Sequence, residues 1–334
     1  MPYALSFLDK SPIHGDETAN DALNRTVALA QLAEKAGFRR FWVAEHHNTP
    51  GLASSAPEIL IGFLLARTER IKIGSGGVML QHYSAYKVAE SFNLLASLAP
   101  GRVDLGVGKA PGGLLLSTRA LQGAYDLGRK PSFEQQLDEL DGFLRHPDKE
   151  APKSEDSLAA YPLPPEAPQR FLLGASVESA RLAAERGWNF VYAGHLHGDE
   201  ADIARALDAY RRETGKSALL AVGIVAAETE AEAEKLASDI RLFRVEIEGG
   251  QAVNVGSREL ALDYVRQAGA SRYKIEERTP RVIRGTPQKI QAQFNRLHQE
   301  YGVEEFVVDC PLTDGAHRLR TIELLAAARS AIAA

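Results

Sequence analysis

Short apolar runs alternate with longer stretches of helical spacing along the chain, and this alternation constrains the fold more than any other feature. The runs fall at 3–8, 40–44, 71–74 (continuing to 80), 102–107, 170–173, 189–193, 219–226 and 305–309. Helical stretches lie near 18–36, 56–68, 84–98, 133–144, 177–186, 200–213, 230–242 and 314–332. Eight strands, each followed by a helix, match the (β/α)8 repeat. The runs carry few strictly alternating polar residues, as expected of strands covered on both faces. The sheet is therefore expected to be parallel and closed. An open doubly wound sheet uses the same elements, because closure leaves no mark in sequence.

Length alone does not decide between one domain and two. At ~150 residues per domain the chain suggests two, yet one α/β barrel with insertions also fits. We expect a single α/β domain over residues 1–334, a TIM barrel with an insertion between its seventh and eighth strands. Two segments break the repeat. Residues 146–168 are rich in proline and charge and should be a surface excursion before the fifth strand. Residues 245–285 include Gly249-Gly250, a helical piece near 257–269 and a charged run beginning at Ser271. This second excursion fits a mobile lid, a static excursion or a dimer contact.

Composition narrows the class of protein. The chain has 334 residues, 45% hydrophobic and 25% charged, with a net charge of −5 and one cysteine. The balance is that of a globular chain, neither disordered nor a disulfide scaffold. The basic surplus of a nucleic-acid binder is absent. The lone Cys310 fits a reducing compartment. No apolar run approaches the ~20 residues of a membrane span, and Met1-Pro2-Tyr3 does not read as the start of a signal peptide. The expected setting is the cytoplasm, with neither membrane nor nucleic acid as partner.

In a parallel barrel the reactive residues sit at the carboxyl ends of the strands. The unusual residues of this chain gather there. Glu45-His46-His47-Asn48 follows the second strand, and Gly74-Ser75-Gly76-Gly77 with His82 follows the third. Gly106 to Gly113, including Lys109, follows the fourth, and Gly174-Ala175-Ser176-Val177-Glu178-Ser179 the fifth. Gly194-His195-Leu196-His197 follows the sixth, so six of the nine histidines (14, 46, 47, 82, 195 and 197) come after a strand end. That clustering points to an enzyme or a ligand binder.

The loop after the fifth strand is the clearest anion site. Gly174 permits a close turn, and free N–H groups at the start of the next helix attract a phosphate. Ser176 and Ser179 lie about one turn apart and can reach the same anion. Plain N-capping by Ser176 is the structural alternative. Ser179 stands where a capping box would prefer Glu or Gln, which favours the phosphate. Lys109 can add positive charge, although a lysine at a loop tip is usually only solvated. His46 and His47 should point apart, one toward the barrel mouth and one into packing. Such a histidine is either a general base or a side chain satisfied by backbone. Glu45, His46, His195 and His197 have the chemistry of metal ligands, but their spacing is not diagnostic, and no metal is assigned. Gly74 to Gly77 lacks the helix-opening spacing of a dinucleotide fingerprint and suits a flat ring lying against backbone.

Five blocks of the sequence, AEHHNTPG, GSGGVML with YKVAES, LLASLAPGRVDLGVGKAPGG, LLGASVESARLAAERG and the stretch from GTPQKI to TIELL, occur in family order. Together they span almost the whole chain and resemble the bacterial luciferase-like flavin-dependent monooxygenases. The resemblance implies a (β/α)8 barrel, usually dimeric, that uses reduced FMN, often supplied by a separate flavin reductase. In such enzymes oxygen adds at the flavin C4a, and the resulting peroxide oxygenates a small organic molecule. By alignment Ser176 and Ser179 fall on phosphate-binding positions, and Lys109 falls where luciferase has a phosphate-binding arginine. Gly76-Gly77 falls where the family often has a cis peptide beneath the flavin ring, and His46 matches a histidine implicated in catalysis. Relatives often carry proline in the third-loop block around His82, Tyr83 and Lys87. Here Gln81 and Ala85 stand instead. Gly108 occupies the position of the luciferase's reactive cysteine, so that role is not carried over. Two other readings share the barrel: an F420-dependent hydride-transfer oxidoreductase, and a non-catalytic flavin-binding subunit.

Overall fold

A computed structural model describes residues 2–126, 128–145, 158–196, 198–249 and 252–333, with side chains described through 328. In chain order the strands are β1 (Ala4–Asp9), β2 (Arg40–Val43), β3 (Lys72–Ser75), β4 (Val78–Met79), β5 (Val103–Gly108), β6 (Gln169–Gly174) and β7 (Asn189–Ala193). They continue with β8 (Leu219–Ala226), β9 (Leu242–Ile247), β10 (Val253–Val255), β11 (Tyr273–Arg278), β12 (Val282–Gly285) and β13 (Glu305–Asp309). The helices are α1 (Ala19–Lys35), α2 (Pro57–Leu65), α3 (Ala85–Leu98), α4 (Leu115–Gln122), α5 (Phe133–Leu144) and α6 (Val177–Glu185). After them come α7 (Glu200–Thr214), α8 (Glu230–Ala237), α9 (Arg258–Ala268), α10 (Pro287–Tyr301) and α11 (Gly315–Ala333).

The barrel is closed. Its strands follow one another around the ring as β1, β2, β3, β5, β6, β7, β8 and β13, all parallel, and β13 returns to β1 with Ala4 opposite Glu305. The pairing of β7 with β8, Val191 opposite Leu219, closes the other seam and excludes the open sheet. Local signals set the helices between the strands. Thr18 forms a capping box with Asp21 at α1, and Ser132 forms one with Gln135 at α5. Proline opens α2 and α10, where its missing N–H costs nothing. Gly215 and Gly302 end α7 and α10 in the left-handed region, which suits a residue without Cβ.

Strand parity sorts the side chains. Phe7, Phe41, Ile73, Val107, Phe190 and Phe306 point outward into the layer shared with the helices. Leu8, Trp42, Phe171, Val191, Leu219 and Val307 fill the middle of the ring. At the amino-terminal end of the strands Arg40 plugs the ring. Its Nε donates to Glu305 Oε1 at 2.6 Å, and its Nη1 donates to both oxygens of Asp104 at 2.9 and 3.0 Å. Trp42 Nε1 donates to Asp104 Oδ2 at 2.9 Å, and Ser6 Oγ donates to Glu305 Oε1 at 2.6 Å.

The chain departs from the simple repeat in three places. The third apolar run is not one strand to residue 80, because it breaks into β3 and β4, the latter paired with β5. The helical stretch expected to reach 242 stops at Ala237, and Leu242 opens β9. The excursion over 245–285 is a folded unit in which β10, β9 and β11 form an antiparallel sheet backed by α9. Phe243, Val245, Ala261, Tyr264 and Val265 give it a small core of its own, which Leu114 and Leu115 extend toward α4. Then β12 joins β8 in parallel, and α10 supplies a helix absent from the sequence reading. Of the excursion over 146–168, residues 146–157 lie outside the described residues. No helix among the described residues is long and apolar enough to cross a membrane.

Candidate functional site

The same parity that places Arg40 and Trp42 inside the ring carries His46, two steps past Ala44, into the mouth at the carboxyl ends of the strands. Lys10, Asp309 and His195 arrive there in the same way, from β1, β13 and β7. Lys10 Nζ donates to Asp309 Oδ2 at 2.7 Å. The backbone N–H of His46 is bound to Ser54 O, but its Nδ1 is buried and has no hydrogen-bond partner. Burial pushes the His46 pKa down to about 4, and the Lys10, His47 and His195 charges push the same way against Asp309. His46 is therefore a neutral imidazole near pH 7, able to accept a proton or a hydrogen bond.

His47 points elsewhere, as expected for adjacent residues. Its Nε2 donates to the fully buried Glu45 at 2.7 Å, and Tyr83 Oη donates to the same carboxylate oxygen at 2.8 Å. The other Glu45 oxygen accepts from Met79 N at 3.0 Å, so the carboxylate fastens the loop after β2 to β4. Burial, reinforced by Glu45, raises the Tyr83 phenol. His82 completes this layer by donating from Nε2 to Pro111 O at 2.8 Å and accepting from Gln122 Nε2 at 3.0 Å. These partners hold the third-loop block in place. His47 and His82 thus brace the loops, and His46 keeps a free acceptor.

Beside His46 the Gly76-Gly77 peptide is cis, and Gly76 N–H binds Val43 O at 2.9 Å. The glycines answer first to protein packing. A Cβ on Gly74 would come within 2.4 Å of Asp104 O, one on Gly77 within 2.8 Å of Gly106 O, and one on Gly76 within 2.7 Å of Leu8 Cδ1. Close approach of β3 and β4 to β5 therefore requires glycine at 74 and 77 before any ring is considered, whereas Gly76 faces side chains of β1 and β2.

Of the two roles considered for the loop after β6, the helix cap is present in the structure. Ser176 caps α6, its Oγ accepting from Ser179 N at 3.2 Å, and the two serine oxygens lie 3.3 Å apart. Gly174 makes room for Ser179, whose Cβ would lie 2.3 Å from an added Cβ. Both hydroxyls are partly exposed at the helix N-terminus, where an anion is favoured. Glu178 also sits in that first turn, and its hydrogen bonds to its own backbone and to Ser176 hold its carboxyl below the usual range. Lys109 follows Gly108, which pairs with Leu173, so β5 delivers it beside Gly174. Its exposed ammonium lies 3.7 Å from Glu134.

The sequence reading singled out His46, Gly76, Gly77, Lys109, Ser176 and Ser179, and all lie at this one end of the ring. It did not single out Lys10, and it named His195 only among the strand-end histidines and the possible metal ligands. Among the described residues no three of His, Cys, Asp and Glu come together to hold a metal ion, and His197 lies outside them. A hollow of about 520 Å³ lined by Arg145, Pro168, Arg170 and Asn189 opens at the opposite end of the barrel. That face serves stability in this architecture.

Known proteins resemble this chain in sequence and fold. A family model described as luciferase-like monooxygenase matches residues 1–305. An N-acetyl-S-alkylcysteine monooxygenase of Bacillus subtilis (strain 168) is 44% identical over 329 residues, covering 96% of each chain. The solved structure of apo-MsnO8 superposes with a TM-score of 0.78 at 31% identity, covering 98% of each chain. The FMN-bound oxygenating constituent of 3,6-diketocamphane monooxygenase from Pseudomonas putida shares the fold, with a TM-score of 0.69 at 18% identity over 98% of this chain and 97% of its own. With its closed barrel and a family match over most of its length, the chain belongs to the luciferase-like monooxygenases and is an oxidoreductase of that family.

Proposed function

We propose that the protein is an FMN-dependent monooxygenase that uses reduced FMN and O2 to oxygenate a small organic substrate. The buried, unpartnered Nδ1 of His46 carries this reading. A native interior seldom leaves such a group unpaired, and a ligand in the mouth would satisfy it. Flavin also fits the other end of the site. Ser176 and Ser179 would donate to its phosphate at the α6 N-terminus, and Lys109 would add charge on turning from Glu134. Lysine keeps the charge of the family's arginine but lacks its bidentate fork. The cis Gly76-Gly77 peptide would border the ring, and His46 would accept a hydrogen bond or proton beside it. Reduced FMN, when bound, supplies the electrons that activate oxygen.

The substrate named for the Bacillus subtilis relative, an N-acetyl-S-alkylcysteine, is the first candidate here. A separate flavin reductase would deliver the cofactor already reduced, and the buried lone Cys310 suits a reducing cytoplasm. Ile59 and Phe63 on α2, with Leu94 and Leu98 on α3, form an exposed apolar face that favours a homodimer. Anaerobic titration with reduced FMN and, separately, with reduced F420 tests the cofactor. We expect tight binding of FMN and rapid oxygen uptake once a thioether substrate is added. Preference for F420 would establish the hydride-transfer reading. Flavin binding with no turnover on any substrate would establish the non-catalytic one.

A further inference from the structure

Opposite the serine loop, the mouth holds a second polar pair that the flavin reading leaves unused. Around the ring, β6 and β1 are diametric, with β2, β3 and β5 between them on one side and β7, β8 and β13 on the other. Ser176 and Ser179 therefore stand at one rim, and Lys10 with Asp309 stands at the other. His46, from β2, and His195, from β7, flank the space between.

The chemistry of the pair is specific. Asp309 is 4% exposed, with Oδ2 engaged by Lys10 and Oδ1 buried without a hydrogen-bond partner. Burial alone would raise its carboxyl, but the Lys10 and His195 charges hold it below the ordinary value, so Oδ1 remains a pure acceptor. Lys10 spends one of three protons on Asp309 and keeps a side chain 28% exposed toward the mouth. One end of the pair thus asks for an N–H or O–H donor, and the other offers N–H donors to an anionic oxygen. A group carrying both functions on neighbouring atoms satisfies the two at once.

We propose that Lys10 and Asp309 form the anchor for the substrate's polar end, Lys10 receiving a carboxylate and Asp309 Oδ1 receiving the adjacent amide N–H. The substrate class selected is an N-acylated amino acid, whose side chain then extends toward His46. The proposal deepens the flavin-monooxygenase reading and rests on it for the reaction, though not for the binding.

Calorimetry without oxygen tests it, with and without reduced FMN. The probes are N-acetyl-S-benzylcysteine, its methyl ester, and the acid methylated on the amide nitrogen. The free acid should bind at least tenfold more tightly than either analogue. Lys10→Gln should abolish the gap between acid and ester, and Lys10→Arg should retain most of it. Equal binding of acid and ester to the wild type, no binding of any probe, or a gap that survives Lys10→Gln would overturn the proposal. So would an equal loss of FMN affinity in Lys10→Gln, which would assign Lys10 to the flavin. The wild-type comparison needs no variant to fold. If the wild type failed to bind FMN, the cofactor reading would fall while the acid-to-ester gap stood on its own.

Discussion

The two ends of the barrel interior hold polar clusters built by the same strands, yet they are finished differently. At the amino-terminal end, Arg40 divides its donors between Asp104 and Glu305, and Trp42 and Ser6 complete the carboxylates. At the carboxyl end, His46 Nδ1 and Asp309 Oδ1 lie buried with no partner. A satisfied buried network fixes structure, whereas an unfinished one in the mouth of a barrel is shaped for something that arrives later. The contrast teaches that the floor of this barrel is closed on itself, whereas the mouth leaves buried polar atoms open, as the proposed binding role requires.

The severest test of that contrast removes the floor's cation. Arg40→Met strips the shared partner from two buried carboxylates, which should cost about 3–5 kcal/mol of stability in urea unfolding. A loss below about 1 kcal/mol would show that the floor is no more structural than the mouth. The reverse test is His46→Ala. Turnover with reduced FMN should fall about 100-fold or more, in line with loss of a general base, while the unfolding midpoint and FMN affinity stay nearly constant. If turnover and flavin affinity fell together, His46 would belong to the cofactor's grip and not to the chemistry.

These two residues also show what a reader of the sequence can and cannot see. His46 was legible because it follows an apolar run, and strand ends face the mouth in a parallel barrel. Its neighbour His47 has the same sequence signal, and only strand parity, visible once β2 is placed, separates the two. Residues 242–247, Leu-Phe-Arg-Val-Glu-Ile, carry the alternation of a strand with one polar face, but the sequence reading split them between the end of a helical stretch at 242 and an excursion from 245. The α10 segment begins at Pro287, just past the excursion over 245–285, and the sequence reading assigned it no element. Lys10 and Asp309 are separated by 299 positions, and nothing local links them until β1 pairs with β13. The glycines at 74, 76 and 77 were visible, but the physical demands on them, the backbone of β5 at 74 and 77 and the Leu8 and Trp42 side chains at 76, were not.

A smaller effect sharpens the mouth itself by separating its two rims. In the proposed site Ser179 gives its hydroxyl to the flavin phosphate, whereas the helix cap is made by Ser176. Ser179→Ala should therefore lower FMN affinity about tenfold, as expected for one charge-assisted hydrogen bond, with no change in unfolding midpoint. Ser176→Ala should lower both, since it also removes an N-cap contributing about 1 kcal/mol. Equal behaviour of the two serines, measured by fluorescence titration and thermal unfolding, would contradict the division of labour.

The mildest consequence concerns acid. Burial holds the His46 pKa near 4, below the value of 6.5 for a free imidazole. Between those two values the unfolded chain binds the proton and the folded chain does not, so stability rises with pH across that window. The contribution is nearly complete above pH 6.5 and is lost as pH falls toward about 4. Between pH 7 and 5.5 that erosion amounts to about 1 kcal/mol from this one group. His46→Gln removes the titration while keeping a polar side chain of similar reach. Its urea midpoint should therefore drop less than that of the wild type over the same interval. The Arg40 cluster at the floor contains no histidine; Arg40→Met leaves the buried Asp104 carboxyl, already raised by burial, without its cation, so that variant should gain less stability than the wild type as pH rises. Parallel slopes for the wild type and His46→Gln would mean that His46 is not held neutral by its burial, and the mouth would lose its claim to differ from the floor.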